Sequence, residues 1–244
     1  MRAPLRVLTW NLYHGRSEPA AGRELSAEFA SLLASWDWDA ALLQEVPPWW
    51  PPLLASAAGA EQRAALTSRN AGRIVRRGLA RRWPDVIKSN GGGCNAILAR
   101  APIVMHHALR LRTWPERRVA QLARLGTGVC LANYHASARA SLAQLELERL
   151  SADVLAWAGQ APLVLGGDLN LRSPRVADGL IHVGSRDVDH LFAHRLEPAA
   201  DAQRLDRDVV LAGRRVQLSD HVPLLATLRR TAAGSGDAFA HERS

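Results

Sequence analysis

Short apolar runs that end in polar side chains recur along this chain, and they tie it to a sheet-rich fold more tightly than any other feature. The stretch "LVLGGDLN", residues 163–170, shows the pattern. Leu163, Val164 and Leu165 suit a strand covered on both faces. Gly166 and Gly167 let the backbone turn sharply or lie close to another group or a substrate, and Asp168 and Asn170 then point the same way at the strand's end. Alone, such a stretch reads first as a strand closing in an Asx turn. Comparable runs lie at residues 5–12, 40–44, 95–99, 103–111, 118–125, 129–134, 191–193 and 224–229.

Two segments carry helical period instead. Leu25, Phe29, Leu32, Leu33 and Trp36 form one stripe, and Leu142, Leu145, Leu150, Val154 and Trp157 form another. The second is expected to open on a Ser141/Gln144 capping box and to stop near Gly159, before Pro162. Strands that outnumber helices, with hairpin-like runs mid-chain, predict an α+β fold with mixed sheets in layers. Residues 47–93 hold proline pairs, the basic stretch "RIVRRGLARR" and a glycine run before Cys94; loops and a helix or two shaping one face are expected there. Residues 231–244 are small, polar and aperiodic, which predicts a disordered tail.

A chain of 244 residues that is 48% hydrophobic can bury a large core, and one domain over residues 1–230 is expected. A strand-like run begins almost at the first residue, leaving no room for a signal peptide, and charges break every apolar stretch short of a membrane span. A monomeric cytoplasmic protein without stable membrane insertion is therefore expected. Cys94 and Cys130 are too few for a disulfide framework and lack metal-site spacing, so they read as buried thiols, with a single bridge as the alternative. The net charge of +8 favours polyanionic partners such as nucleic acid or an anionic membrane surface. Its weight is modest, because Lys88 is the only lysine and a GC-rich coding bias would produce the same excess of arginine.

The strand ends carry a consistent chemistry. "RVLTWNLYHG" delivers Asn11, "DAALLQEV" delivers Glu45 and "GVCLANYHAS" delivers His135; "DVDHLF" adds Asp189, and "VQLSDHVPLLATL" adds Asp220 and His221. Each has an ordinary explanation as a turn residue, a surface charge, a satisfied histidine or a cap. Strand ends on one edge of a sheet converge in space, however, and the set reads as a site. Glu45, Asp168 and Asp220 supply hard oxygens while Asn11 and Asn170 add amide carbonyls, a mixture suited to Mg²⁺ or Mn²⁺ and not to a thiolate zinc site. His135 and His221 can hydrogen-bond a phosphate or move protons near neutral pH, and Asp189 can fix the tautomer of one of them. Together these are the parts for in-line attack of water on a phosphate ester.

In the order "WNLYHG", "LLQEV", "NYHAS", "GGDLN", "DVDHLF", "SDHVPL", the chain resembles the endonuclease/exonuclease/phosphatase family. That family includes pancreatic-type deoxyribonucleases, apurinic-site endonucleases, bacterial sphingomyelinases and inositol-polyphosphate 5-phosphatases. The likeness extends from about residue 5 to residue 228. It implies a four-layer α/β/β/α sandwich of two mixed sheets with outer helices. It also implies that Glu45 is the principal metal ligand, with Asn11 beside it directly or through water and Asp220 completing the environment. Asp168 resembles the group that orients or deprotonates the attacking water, and Asn170 the residue that positions water or phosphate. His135 resembles the histidine on the scissile phosphate; His221, paired with Asp189, the one that stabilises the pentacovalent state or assists proton transfer. The carboxylate that supports the first histidine in deoxyribonucleases has Glu61 as its only, weak, candidate. "EVPPWW" stands where apurinic endonucleases carry threonine and lysine, which disfavours that subclass.

Arg117, Arg118 and Arg172, with Arg175 and Arg186, are candidates to grip substrate phosphates. Trp49 and Trp50, bracketed by prolines, suit base stacking, a lipid headgroup layer or a plug against the core. His14, His106 and His107 carry no assignment. The expected function is a divalent-metal-dependent phosphoesterase, a nuclease or other phosphodiesterase, whose partner is its phosphate ester, nucleic acid included. The alternatives are a phosphatase or sphingomyelinase-like phospholipase on a small or lipid phosphate ester, and a non-catalytic binding module on the same fold.

Overall fold

Alternation of side chains along strands lets one strand serve two layers, and the computed structural model, which describes residues 3–67, 70–83, 85, 93–114 and 116–231, is built on that device. The chain begins with β1 (Leu5–Asn11), β2 (Ser17–Glu18), α1 (Ser26–Ser35), β3 (Ala40–Val46), α2 (Pro51–Ala58), β4 (Glu61–Leu66) and α3 (Arg73–Arg82). It continues through β5 (Cys94–Ala99), β6 (Ile103–Arg112), β7 (Arg118–Leu125), β8 (Cys130–Asn133), α4 (Ala140–Ala158) and β9 (Leu163–Asp168). It ends with β10 (Ile181–Arg186), β11 (Asp189–His194), β12 (Leu196–Pro198), β13 (Gln203–Arg204), β14 (Asp208–Leu211), β15 (Arg214–Leu218) and β16 (Leu224–Arg230). The first sheet runs β12-β16-β1-β3-β5-β4 with β13 on β16; the second runs β10-β11-β9-β8-β7-β6; a small sheet joins β14, β15 and β2.

Three apolar layers hold these parts together. Leu8 and Trp10 of β1 face α1 and α2 with Phe29, Leu33, Trp50 and Leu54. Val7 of the same strand faces the second sheet, packing with Leu42, Val164, Leu191 and Leu224. On the far side, Leu163 and Leu165 of β9 meet Leu147, Leu150 and Val154 of α4. The result is the four-layer α/β/β/α sandwich of two mixed sheets.

The layer between the sheets changes character toward one edge. Gln44 donates to Asn133 at 2.8 Å and to Thr9 at 3.2 Å, and Asn133 donates to the Leu43 and Ala96 carbonyls at 2.9 and 3.0 Å. These amides are fully buried. Their cost is offset only because the network spans both sheets, so it also fixes how the sheets face each other.

Several expectations need correction. The Ser141/Gln144 capping box does not form: α4 is preceded by Arg139 with no side-chain cap, and Gln144 is drawn instead to the Arg175 backbone at 2.8 and 3.1 Å. Within residues 47–93, Pro51 starts α2 and Gly59 ends it in the left-handed region, but β4 is an added strand. Its sequence "EQRAAL" opens on three polar residues, which the edge of a sheet tolerates. The hairpin β14–β15 was likewise illegible; its Ala212-Gly213 turn has φ of 48° and 76°, the geometry of a two-residue turn. Cys94 and Cys130 are free and buried, which removes the bridge, and burial pushes the Cys94 thiol up to about 12. Trp50 is a core residue beside Phe29, its indole N–H donating to Glu24, so the plug describes it. The expected disordered tail lies outside the described residues beyond Thr231. Among the described residues no helix is long and apolar enough to cross a membrane.

Candidate active site

Two parallel strand pairs, one in each sheet, aim their carboxyl ends at the same edge. β1 runs parallel to β3 with Asn11 opposite Gln44, and β8 runs parallel to β9 with Asn133 opposite Gly166. Asn11, Glu45, His135 and Asp168 therefore leave their strands together. Across the gap between sheets, the Asn11 amide donates to Asp168 Oδ2 at 2.9 Å, while its carbonyl accepts the Tyr13 N–H at 2.9 Å. Antiparallel pairing sets Asp189 directly opposite Asp168.

Local backbone geometry aims the rest. β3 shifts register between Leu43 and Val46, and within that irregularity Glu45 has φ of 50°. Tyr13, His14 and Asn170 share the left-handed region, at 49°, 53° and 51°. Such strain in non-glycine residues collects where a side chain must be redirected. Asn170 donates its backbone N–H to Asp168 Oδ1 at 3.0 Å and its amide to the Ala136 carbonyl at 3.0 Å. Ser219 Oγ donates to the Asn11 carbonyl at 2.6 Å and accepts the His221 N–H at 3.0 Å, and Trp10 donates to the His221 carbonyl at 3.0 Å. The loop carrying Asp220 and His221 is thus pinned onto β1.

These groups line a cleft of about 300 Å³ with Tyr13, His14, Thr67, Glu116, Arg117, Arg118 and Ala138. Asp189 sits behind it, buried, 2.7 Å from His221 Nδ1. A carboxylate accepts, so Nδ1 carries the proton and Nε2 faces Asp168 at 3.8 Å and Asp220 at 3.9 Å. Burial works against the imidazolium, but the Asp189 hydrogen bond and charge, with Asp168 and Asp220, lift His221 to about 9. His135 goes the other way: burial lowers it to about 4 despite Asp168, whose Oδ2 is 3.4 Å from its Nε2. One histidine is cationic at neutral pH and the other neutral, the separation that acid and base roles require.

Burial and the Asp168 charge, with Asp220 adding to them, push Glu45 up to about 7 against His221 and Arg118. Carboxylates near enough to raise one another, with imidazole nitrogens of His14 and His135 beside them, are hard donors of the kind a divalent cation takes. Asp168, Asp189 and His221 also offer atoms within 4.8 Å of one another. There, however, His221 Nδ1 is held by Asp189, which does not line the cleft, and the ring is cationic. The carboxylates that line the cleft are Glu45, Glu116, Asp168 and Asp220, with Asn11 beside them.

Other expected site residues lie elsewhere. Arg117 and Arg118 line the cleft, Arg118 buried and paired with Glu116 at 2.6 Å. Arg172 is not among the lining residues; it is exposed and pairs with Asp187 at 3.2 Å. Glu61 accepts the Ile103 N–H at 3.0 Å, tying β4 to the start of β6, while the carboxylates beside His135 are Glu45 and Asp168. His14, left without assignment, lies 3.2 Å from Glu45 Oε2. Its only signal in the sequence was its position three residues after Asn11.

The fold is shared with solved structures of low identity. An endonuclease/exonuclease/phosphatase from Beutenbergia cavernae aligns with a TM-score of 0.71 at 20% identity, covering 95% of this chain and 73% of its own. TDP2 from Caenorhabditis elegans aligns at 0.67 and 17% identity, covering 92% and 74%. A mannosyl-6-phosphatase from Bacteroides thetaiotaomicron aligns at 0.65 and 16% identity, covering 92% and 99%. None of the curated proteins matches the sequence. Residues 8–221 match the Endonuclease/Exonuclease/phosphatase family, and since that span contains every cleft residue described above, the chain belongs to this family of phosphoester hydrolases.

Proposed function

We propose that this protein is a divalent-metal-dependent phosphodiesterase working by in-line attack of water. The observation that carries the reading is the convergence of Glu45, Asp168 and Asp220 with a cationic His221 and a neutral His135 on one cleft. Glu45 and Asp220 would hold Mg²⁺ or Mn²⁺, with Asn11 adjacent. Bound there, the cation supplies charge neutralisation at the phosphate and the leaving oxygen. Asp168, held by Asn11 and Asn170, orients the water through Oδ2. His135 donates a neutral N–H to a phosphate oxygen. His221 offers its Nε2 proton to charge developing on the phosphoryl group or leaving group, with Asp189 retaining the imidazolium. The diester reading is favoured by the basic charge of the chain, +8, which suits a polyanionic partner such as nucleic acid or an anionic lipid surface.

The test is purified protein with Mg²⁺ or Mn²⁺ against plasmid, single-stranded oligonucleotide, a bis-aryl phosphodiester and an aryl phosphomonoester. Cleavage of the diester in preference to the monoester is expected, and no hydrolysis of any of them with either cation overturns the reading. Glu45→Ala is expected to raise the cation concentration for half-maximal rate about tenfold or more. An unchanged metal titration would remove Glu45 from the set. Because Glu45 must lose its proton to bind a cation, apparent affinity should rise with pH through about 7 and binding should release a proton, measurable by titration calorimetry in buffers of different ionisation enthalpy. On the alkaline side, kcat should fall as pH passes about 9, where His221 loses the proton it donates.

A further inference from the structure

The geometry points to α3 as a docking surface for an anionic lipid bilayer, which would present the phosphodiester at the cleft mouth; this rests on the phosphodiesterase reading. Eleven large apolar side chains are exposed among the described residues, and four of them fall within residues 74–83: Ile74 at 90%, Val75 at 69%, Leu79 at 37% and Trp83 at 53%. Single exposed apolar residues are ordinary, but a cluster on one short element is not. Val75 and Leu79 lie four residues apart and share one face of the helix, with Ile74 beside its start and Trp83 directly after its last residue.

The same ten-residue element, "RIVRRGLARR", contains no acidic residue. Among its described side chains, Ala80 is buried, the Arg77 guanidinium lies over Trp49 and Arg81 pairs with Glu24 at 3.6 Å. Helical spacing puts Arg82 among the outward apolar residues, and its guanidinium lies over the Trp83 ring. An aromatic ring and an arginine side by side on an outward aliphatic face match the boundary between lipid phosphates and acyl chains. Duplex nucleic acid would reward the arginines but not exposed isoleucine, valine and leucine.

The position relative to the cleft supports the same partner. The excursion bearing α3 leaves the body at Thr67, which lines the cleft, and returns at Gly93, which packs against His14; the Thr67 N–H donates to the Gly93 carbonyl at 3.1 Å across its neck. On another cleft-lining segment, the one that supplies Glu116 and Arg117, Trp114 is 81% exposed. The basic charge of the chain would add long-range attraction to an anionic surface. Docking of this kind is peripheral and needs no spanning helix.

Full-length protein should be co-sedimented with phosphatidylcholine vesicles with and without phosphatidylserine, and titrated against duplex DNA in the same buffer. Binding to the anionic vesicles and not to the neutral ones is expected. Ile74→Ser/Val75→Ser should lower the partition coefficient about tenfold or more, while Leu145→Ser, an exposed apolar change on α4, leaves it unchanged. Both variants should keep the wild-type melting temperature and the wild-type rate on the soluble bis-aryl diester. Absence of vesicle binding overturns the proposal. So does equal binding by Ile74→Ser/Val75→Ser, or tighter binding to DNA that Arg82→Ala weakens and the aliphatic changes do not. Vesicle binding by a protein that hydrolyses no phosphoester would leave the surface standing and remove the catalytic reading.

Discussion

His221→Ala is expected to lower kcat on a phosphodiester by about a thousandfold, with KM and melting temperature close to wild type. The side chain contributes its ring to the cleft, while the loop is held by backbone groups: Trp10 binds its carbonyl and Ser219 its N–H. Removing the ring therefore removes chemistry without releasing the loop. Asp189→Asn gives a more discriminating result. The amide preserves shape but not charge, so the imidazolium loses the largest of the influences that raise it. A loss of about a hundredfold is expected, and the alkaline limb of the kcat profile, near 9 in the wild type, should move toward lower pH. Asp168→Asn belongs with this pair, since the same oxygen lies near both histidines and receives the Asn11 amide. Near-normal turnover in His221→Ala and Asp168→Asn together would mean that the chemical centre lies elsewhere.

Gly167→Ala should damage the fold and not the chemistry. A Cβ at this position would lie 1.8 Å from the Tyr134 carbonyl oxygen, a backbone atom just past the end of the neighbouring strand β8, and φ is 143°. The strained backbone costs about 2 kcal/mol and the forced separation of β8 from β9 about as much again. For a chain of this size the melting temperature should fall by about 10 °C or more, or soluble protein should be lost. Gly166→Ala is expected to be milder, because its closest neighbour is the end of the Leu191 side chain, which can move. Gly126→Ala, whose Cβ would meet nothing closer than 3.8 Å, is the control. Gly167→Ala melting within a degree or two of wild type would show that the close strand approach is not required. The two glycines also correct an expectation: the room they provide is taken by neighbouring backbone and side chains, not by substrate.

The central strands were legible because each is covered on both sides and must be apolar along its length. Leu163–Leu165 and Ala40–Leu43 could be little else. Of the edge strands, β6 was legible but β4, β10 and β12–β14 were not, because an edge needs only backbone partners and tolerates Glu, Gln and Arg. The site residues at strand ends could be named for the same reason the core could: a polar group ending a buried run needs a purpose. His14 escaped because it follows a strand through a left-handed turn, where no periodicity holds. Glu61 and Arg172 were misleading because a charge in sequence says nothing about which neighbour satisfies it; backbone and surface partners took both.

From the residues alone followed the sheet-rich architecture, the polar strand ends and the chemistry they are equipped for, because burial patterning and side-chain type are local properties. Which carboxylates share the cleft, which histidine carries charge and which stays neutral, and the Gln44–Asn133 network between the sheets depend on distances across the sandwich. Coulombic and desolvation energies vary with separation and burial, and those are set only when the two sheets meet.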